Sequence, residues 1–216
     1  MSERVWCVPA ELATRFGLGF RRLPAREAEA LLAEWEDAGR FYPRAEVETD
    51  ESLRQVIPYV LLRDPDGGYF TYRRLPAGGE ARLVDLHSLG VGGHINDDGH
   101  VAGLRVADRA LRGSLLAAAL QRELCEELVL PETAAAGLGE LSLHGFLALS
   151  QTPVDRVHVG VVAIAAIHGE HVAQCDVRET DKLVCAGWFR PTRLREMLGE
   201  LPFEGWSRTL IEAGLP

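Results

Sequence analysis

The sequence predicts an α/β protein of the α+β kind, a mixed β-sheet sandwiched between helices, with an N-terminal helical extension. Three observations carry this expectation. Strand-like runs rich in Val, Ile, Leu and aromatic residues recur along the chain, at Gln55–Arg63, Gly68–Arg74, Leu141–Ser150, Val157–Ile167 and Leu183–Phe189. Helical patterns are fewer, and they stand between and after the strands rather than alternating with them. The 216 residues are 47% hydrophobic and 25% charged, which is enough apolar side chain for one good core.

Taken in order, the elements have local causes. Residues 24–38 read as an amphipathic helix that begins at Pro24 and stops at Gly39. Residues 40–54 read as polar and irregular. Asp64-Pro65-Asp66-Gly67 has turn chemistry and joins two strands as a hairpin. Leu83–Ile95 contains a further strand that runs into Gly90-Val91-Gly92-Gly93-His94. Asn96–Gly113 is rich in Gly and Asp. Ser114–Leu128 is the clearest helix, Ala-rich, with Ser114 as N-cap and Pro131 as its stop. Pro191–Leu198 and Gly205–Ala213 close the chain as helices. The expected organisation is an extension with one helix over residues 1–51, then one main domain over 52–216 with a loop insertion at 96–113.

Composition limits the partners. The net charge of −9 disfavours bulk nucleic acid and anionic membranes. A small polyanion would need a divalent metal or a local Arg cluster to receive it. The longest apolar run, Val157–Ile167, is too short to span a bilayer as a helix. No apolar leader follows Met1, and the four cysteines form no CxxC pair, so reduced thiols and a cytoplasmic location are expected. A homodimer is the default assembly, because two-fold pairs are the commonest oligomers.

The chemistry concentrates in Arg122-Glu123-Leu124-Cys125-Glu126-Glu127-Leu128. Helical spacing places Glu123, Glu126 and Glu127 on one side. Three adjacent carboxylates repel, unless a hard divalent cation sits among them. The competing reading is a solvated acidic surface with Arg122 as a local ion-pair partner. Leu124 and Leu128 fall on the other side and would anchor the helix. Cys125 reads as packing.

This stretch resembles the Nudix hydrolase family, whose box is G-x(5)-E-x(7)-REUxEExGU with U apolar. Arg122, Glu123, Leu124, Cys125, Glu126 and Glu127 match REUxEE, Leu130 matches the last apolar position, and Gly93 stands for the box glycine. Ala186-Gly187-Trp188-Phe189-Arg190-Pro191 is similar to the segment that closes many Nudix domains. Gln55-Val56-Ile57-Pro58-Tyr59 and Gly90-Val91-Gly92-Gly93-His94-Ile95-Asn96 resemble a bacterial subgroup labelled predicted phosphoesterases. The chain also departs from the box. The stretch between Gly93 and Arg122 is 15 residues longer than in the pattern, Ser114 stands where the box has its first Glu, and Val129 replaces the box glycine.

The resemblance implies Mg²⁺-dependent attack of water on a diphosphate linkage in a small molecule such as a nucleoside diphosphate derivative, with Mn²⁺ as a substitute ion. Glu126 and Glu127 would be metal ligands. Glu123 would be a third ligand or would orient the water, and the Gly93 carbonyl would be a further ligand. A base is sought in the loop before the tryptophan strand, among Asp176, Glu179 and Asp181, with Glu179 favoured. Arg73, Arg74 and Arg82 are candidates to clamp phosphate oxygens, against the alternative of ion pairs with Glu80 or Asp85. His94 is a candidate substrate contact. Two other functions compete with hydrolysis. One is a nucleotide-binding or regulatory module with weakened catalysis, which Ser114 supports. The other is a relative of isopentenyl-diphosphate isomerase, which the lack of any cysteine between Cys7 and Cys125 disfavours.

Overall fold

The computed structural model describes residues 3–76, 83–97, 111, 115–130 and 138–216. Arg82, Glu80, the Ser114 cap, the Pro131 stop and most of the 96–113 insertion lie outside the described residues. In chain order the elements are β1 (Arg4–Pro9), α1 (Ala10–Ala13), β2 (Gly19–Arg21), α2 (Ala25–Ala38), β3 (Arg40–Pro43), α3 (Arg44–Val47), β4 (Leu53–Arg63), β5 (Tyr69–Arg74), β6 (His87–Ser88) and β7 (Gly90–Gly92). There follow α4 (Leu115–Glu127), β8 (Leu128–Val129), β9 (Leu138–Ala148), β10 (His158–Ile167), β11 (Asp176–Val177), β12 (Leu183–Phe189), α5 (Pro191–Met197) and α6 (Gly205–Ala213). The mixed α+β class expected from the sequence is the one observed. No helix among the described residues is long and apolar enough to cross a membrane.

The chain divides into two compact units. The first comprises Met1–Tyr59, Gly92–Gln121 and Ser142–Ala163. Its strands run in the order β4-β10-β9-β2. Residues 1–51 hold more than the single expected helix. β1 pairs antiparallel with β3, from Arg4↔Pro43 to Cys7↔Arg40, and with β4, from Cys7↔Gln55 to Pro9↔Leu53. Residues 40–54 are therefore partly ordered, as β3 and α3, and not irregular throughout. Their polar look comes from the position of β3, which pairs on one side only, stays half-exposed and ends in proline. α2 buries Ala28, Leu31, Leu32 and Trp35, a spacing of three, four and seven. Trp35 meets Phe146 edge-on at 5.6 Å between ring centres. The helix ends at Gly39, which leaves it in an extended conformation, and a Cβ there would run into the Trp6 ring. Buried Arg54 donates to the carbonyls of Leu149, Asp155 and His158, so a charged side chain ties together the segment between β9 and β10.

The second unit comprises Val60–Val91, Arg122–Leu141 and Ile164–Pro216. β5 lies antiparallel to β12, from Leu183↔Arg74 to Phe189↔Tyr69, and β6 pairs with its end at Tyr72↔Ser88 and Arg73↔His87. The Asp-Pro-Asp-Gly turn forms as expected. Asp64 N–H donates to the Gly68 carbonyl at 2.9 Å, and Gly67 takes φ +81°, a value that suits a residue without Cβ. β12 carries a bulge between Cys185 and Gly187, where Gly187 has φ +123°. The loop before α6 is stitched to β6 by His87 N–H to Pro202 O and Glu204 N–H to His87 O, at 2.9 and 3.0 Å.

Candidate active site

The carboxylate helix α4 ends in the second unit, and its geometry follows from its burial pattern. Leu124 and Leu128 are buried, as the helical spacing requires. Arg178 fixes the helix end. Its backbone N–H donates to the Glu127 carbonyl at 2.8 Å, and its guanidinium reaches the carbonyls of Cys125 and Leu128 at 3.0 and 3.2 Å. These carbonyls have no partner within the helix, and a cation at a helix C-terminus also suits the dipole. β8 and β11 continue the tie through Val177↔Leu128 and Asp176↔Val129.

The three glutamates differ in environment. Glu123 is buried and accepts from Arg122 Nη2 at 2.8 Å. Burial raises its pKa above the ordinary carboxylate value against the pull of Arg122. Glu126 has a 62% exposed side chain and stands 3.9 Å from Arg122 Nε. Glu127 is half-buried, but its Oε2 is enclosed and has no hydrogen-bond partner among the described residues. Its pKa rises from 4.5 to about 7, chiefly through burial, with Glu123, Glu204 and Glu179 adding negative charge and Arg74 opposing. Among the described residues no three His, Cys, Asp or Glu side chains stand together as a ready-made metal cage.

Arg74 brings positive charge to Glu127 from β5. Its Nε donates to Glu204 Oε1 at 2.5 Å, and its guanidinium lies 5.8 Å from the centre of the Tyr72 ring. The partner is thus Glu204 and not Asp85, while Glu80 lies outside the described residues. Arg73 instead takes the exposed pair with Asp85, at 2.5 Å, which is the surface reading considered for it. Glu179 is half-exposed and paired with Lys182 Nζ at 2.7 Å. Glu204 had no signal in the sequence beyond preceding a helix. Its place beside Arg74 arises from contacts across 130 residues of chain. Cys125 is exposed, so its expected packing role is not observed; all four cysteines are free.

Gly93 and His94 belong to the first unit. His94 Nε2 lies 3.4 Å from His158 Nε2, and His158 Nδ1 lies 2.7 Å from the Val154 carbonyl. The neighbouring Gly92 is required by a close approach, because a Cβ there would lie 2.6 Å from the Pro58 carbonyl oxygen.

The mixed sheet with helices, and the helix that carries Arg-Glu-x-x-Glu-Glu, have counterparts among known proteins. Protein YmaB of Bacillus subtilis (strain 168) is 30% identical over 188 residues, covering 87% of this chain and 84% of that protein. The crystal structure of Tm1382, named as a candidate Nudix hydrolase, matches with a TM-score of 0.70 and 28% identity over 98% of this chain and 97% of that one. A NUDIX hydrolase from Alicyclobacillus acidocaldarius shares the fold at a TM-score of 0.51 and 12% identity, over 74% of this chain and 90% of that chain. No protein-family model matches the sequence. The chain belongs to the Nudix family.

Proposed function

We propose that the protein hydrolyses a diphosphate linkage in a nucleoside-diphosphate-type or related small molecule, with Mg²⁺ as the working ion and Mn²⁺ as its substitute. The observation that carries this reading is Glu127. A carboxylate with an enclosed, unpartnered oxygen, set among Glu123, Glu179 and Glu204, is a costly arrangement in isolation. A hard divalent cation relieves it. Mg²⁺ takes carboxylate oxygens and completes its shell with water and phosphate oxygens.

Glu127 would hold the metal, with Glu123 and Glu126 as further candidate ligands. When bound, the cation neutralises phosphate charge and lowers the pKa of a water. The chain's own residues do the rest. Arg74 offers guanidinium donors to a phosphate oxygen and stabilises charge there. Arg122 holds the Glu123 carboxylate in place. Glu179 accepts the proton of the attacking water once it parts from Lys182. The cytoplasm, where free thiols persist, suits the four unpaired cysteines.

The test is a hydrolysis screen over a library of diphosphates with Mg²⁺, Mn²⁺ or chelator, with products identified. Metal-dependent release of two phosphate-bearing products is expected. Ser114, in the place of the first box Glu, favours a second reading, nucleotide binding without turnover. Tight binding across the same library with no product would select it.

A further inference from the structure

We infer that Glu204 is a positioning residue for Arg74: it grips the guanidinium at Nε and leaves the two terminal nitrogens to receive an anionic phosphate beside Glu127. The inference rests on the diphosphate reading above and deepens it.

Four observations support it. Glu204 is itself held fast. Its N–H donates to the His87 carbonyl, and its own carbonyl opens α6 by accepting from Arg208 N–H at 2.9 Å. Both carboxylate oxygens are engaged, Oε1 by Arg74 Nε and Oε2 by Ser88 Oγ at 3.1 Å. Ser88 Oγ in turn lies 3.3 Å from Ser207 Oγ, which accepts from Leu89 N–H at 3.0 Å. The anchor for Arg74 is therefore a braced carboxylate, not a flexible surface partner. It is also well covered, with only 12% of the Glu204 side chain exposed against 27% for Arg74.

The chemistry of the pair explains its geometry. A guanidinium is a planar fork of five N–H donors, and fixing its long stem costs conformational entropy. A carboxylate that takes the Nε donor fixes the plane and leaves four terminal N–H groups for a second anion. Glu204 also works against the site electrostatically. It adds negative charge near Glu127, where phosphate must come. Placed there for its charge alone, it would repel the substrate. A geometric role accounts for an acidic group at a site that handles anions.

The sign of one effect separates the two roles. Binding of methylenediphosphonate, which cannot be hydrolysed, is measured by calorimetry on the full chain with saturating Mg²⁺. Arg74→Ala, Glu204→Ala and Glu204→Gln are compared with the wild type, and a melting curve checks the folding of each variant. Positioning predicts at least a tenfold loss of affinity in Glu204→Ala, close to that in Arg74→Ala. It predicts binding within threefold of wild type in Glu204→Gln, whose amide oxygen still accepts from Nε. Tighter binding in Glu204→Ala would overturn the inference, because loss of a repelling charge would then be the whole effect. Should Glu204→Ala fail to fold, Glu204→Gln decides alone: affinity near wild type supports positioning, and a tenfold gain overturns it. A wild type that binds no diphosphonate removes the diphosphate reading, and the role of Glu204 with it.

Discussion

A carboxyl group enclosed among other carboxyls keeps its proton to higher pH than one in water, and Glu127 does so up to about 7. The folded protein then binds that proton more tightly than the unfolded chain. Stability from this group is present below the ordinary value of 4.5 and is lost as pH rises through about 7. The loss is on the order of 3 kcal/mol for a group so enclosed. Metal-free Glu127→Gln is therefore expected to unfold at higher urea than wild type near pH 8, with the two converging near pH 5, at about these values. Equal curves at both pH values would show that the carboxyl is not strained. His144 moves the other way. Burial, then the charge of Arg22, holds its imidazole down to about 4 from 6.5. The unfolded chain binds that proton more tightly, so stability falls as pH drops from about 6.5 to about 4. An NMR titration of the ring should show it neutral at pH 6; a midpoint near the ordinary value contradicts this. His144 gave no such signal in the sequence, because its burial beside Phe20 and Arg22 depends on distant chain.

At the level of elements, α4 ends where it does because Arg178 caps it. Arg178→Ala should uncover the carbonyls of Cys125 and Leu128, cost about 1–2 kcal/mol, and lower turnover by letting Glu127 wander. Arg178→Lys, lacking the forked donor, should recover only part of this. Thermal melts and rates read both. In the first unit a Cβ on Gly145 would strike the Arg21 carbonyl, so Gly145→Ala should prise β2 from β9, at roughly 1–3 kcal/mol. The strong local signals gave these elements away. The apolar run of β10, the turn at Asp64–Gly67 and the spacing of α2 are all properties of neighbouring residues. β1, β2 and β3 carry no such local signal, being short and defined by partners far along the chain, such as Phe20↔Leu147 and Trp6↔Phe41.

For the molecule as a whole, the Arg-Glu-x-x-Glu-Glu helix was legible because its chemistry is written in seven consecutive residues. The company that Glu127 keeps was not. Arg74 comes from β5, Glu179 from the loop before β12 and Glu204 from the start of α6, and only folding brings them into one electrostatic cluster. The consequence is a carboxyl strained where it stands, which under the proposed function a bound cation would relax. The most direct measurement pairs stability and rate in one variant: Glu127→Gln, assayed with Mg²⁺ on the best substrate from the diphosphate screen and unfolded without metal at about pH 8. A variant that is more stable than wild type yet slower by about a thousandfold or more is expected. Turnover equal to that of wild type would contradict the central claim that this carboxylate is there to hold a cation for cutting a phosphoanhydride.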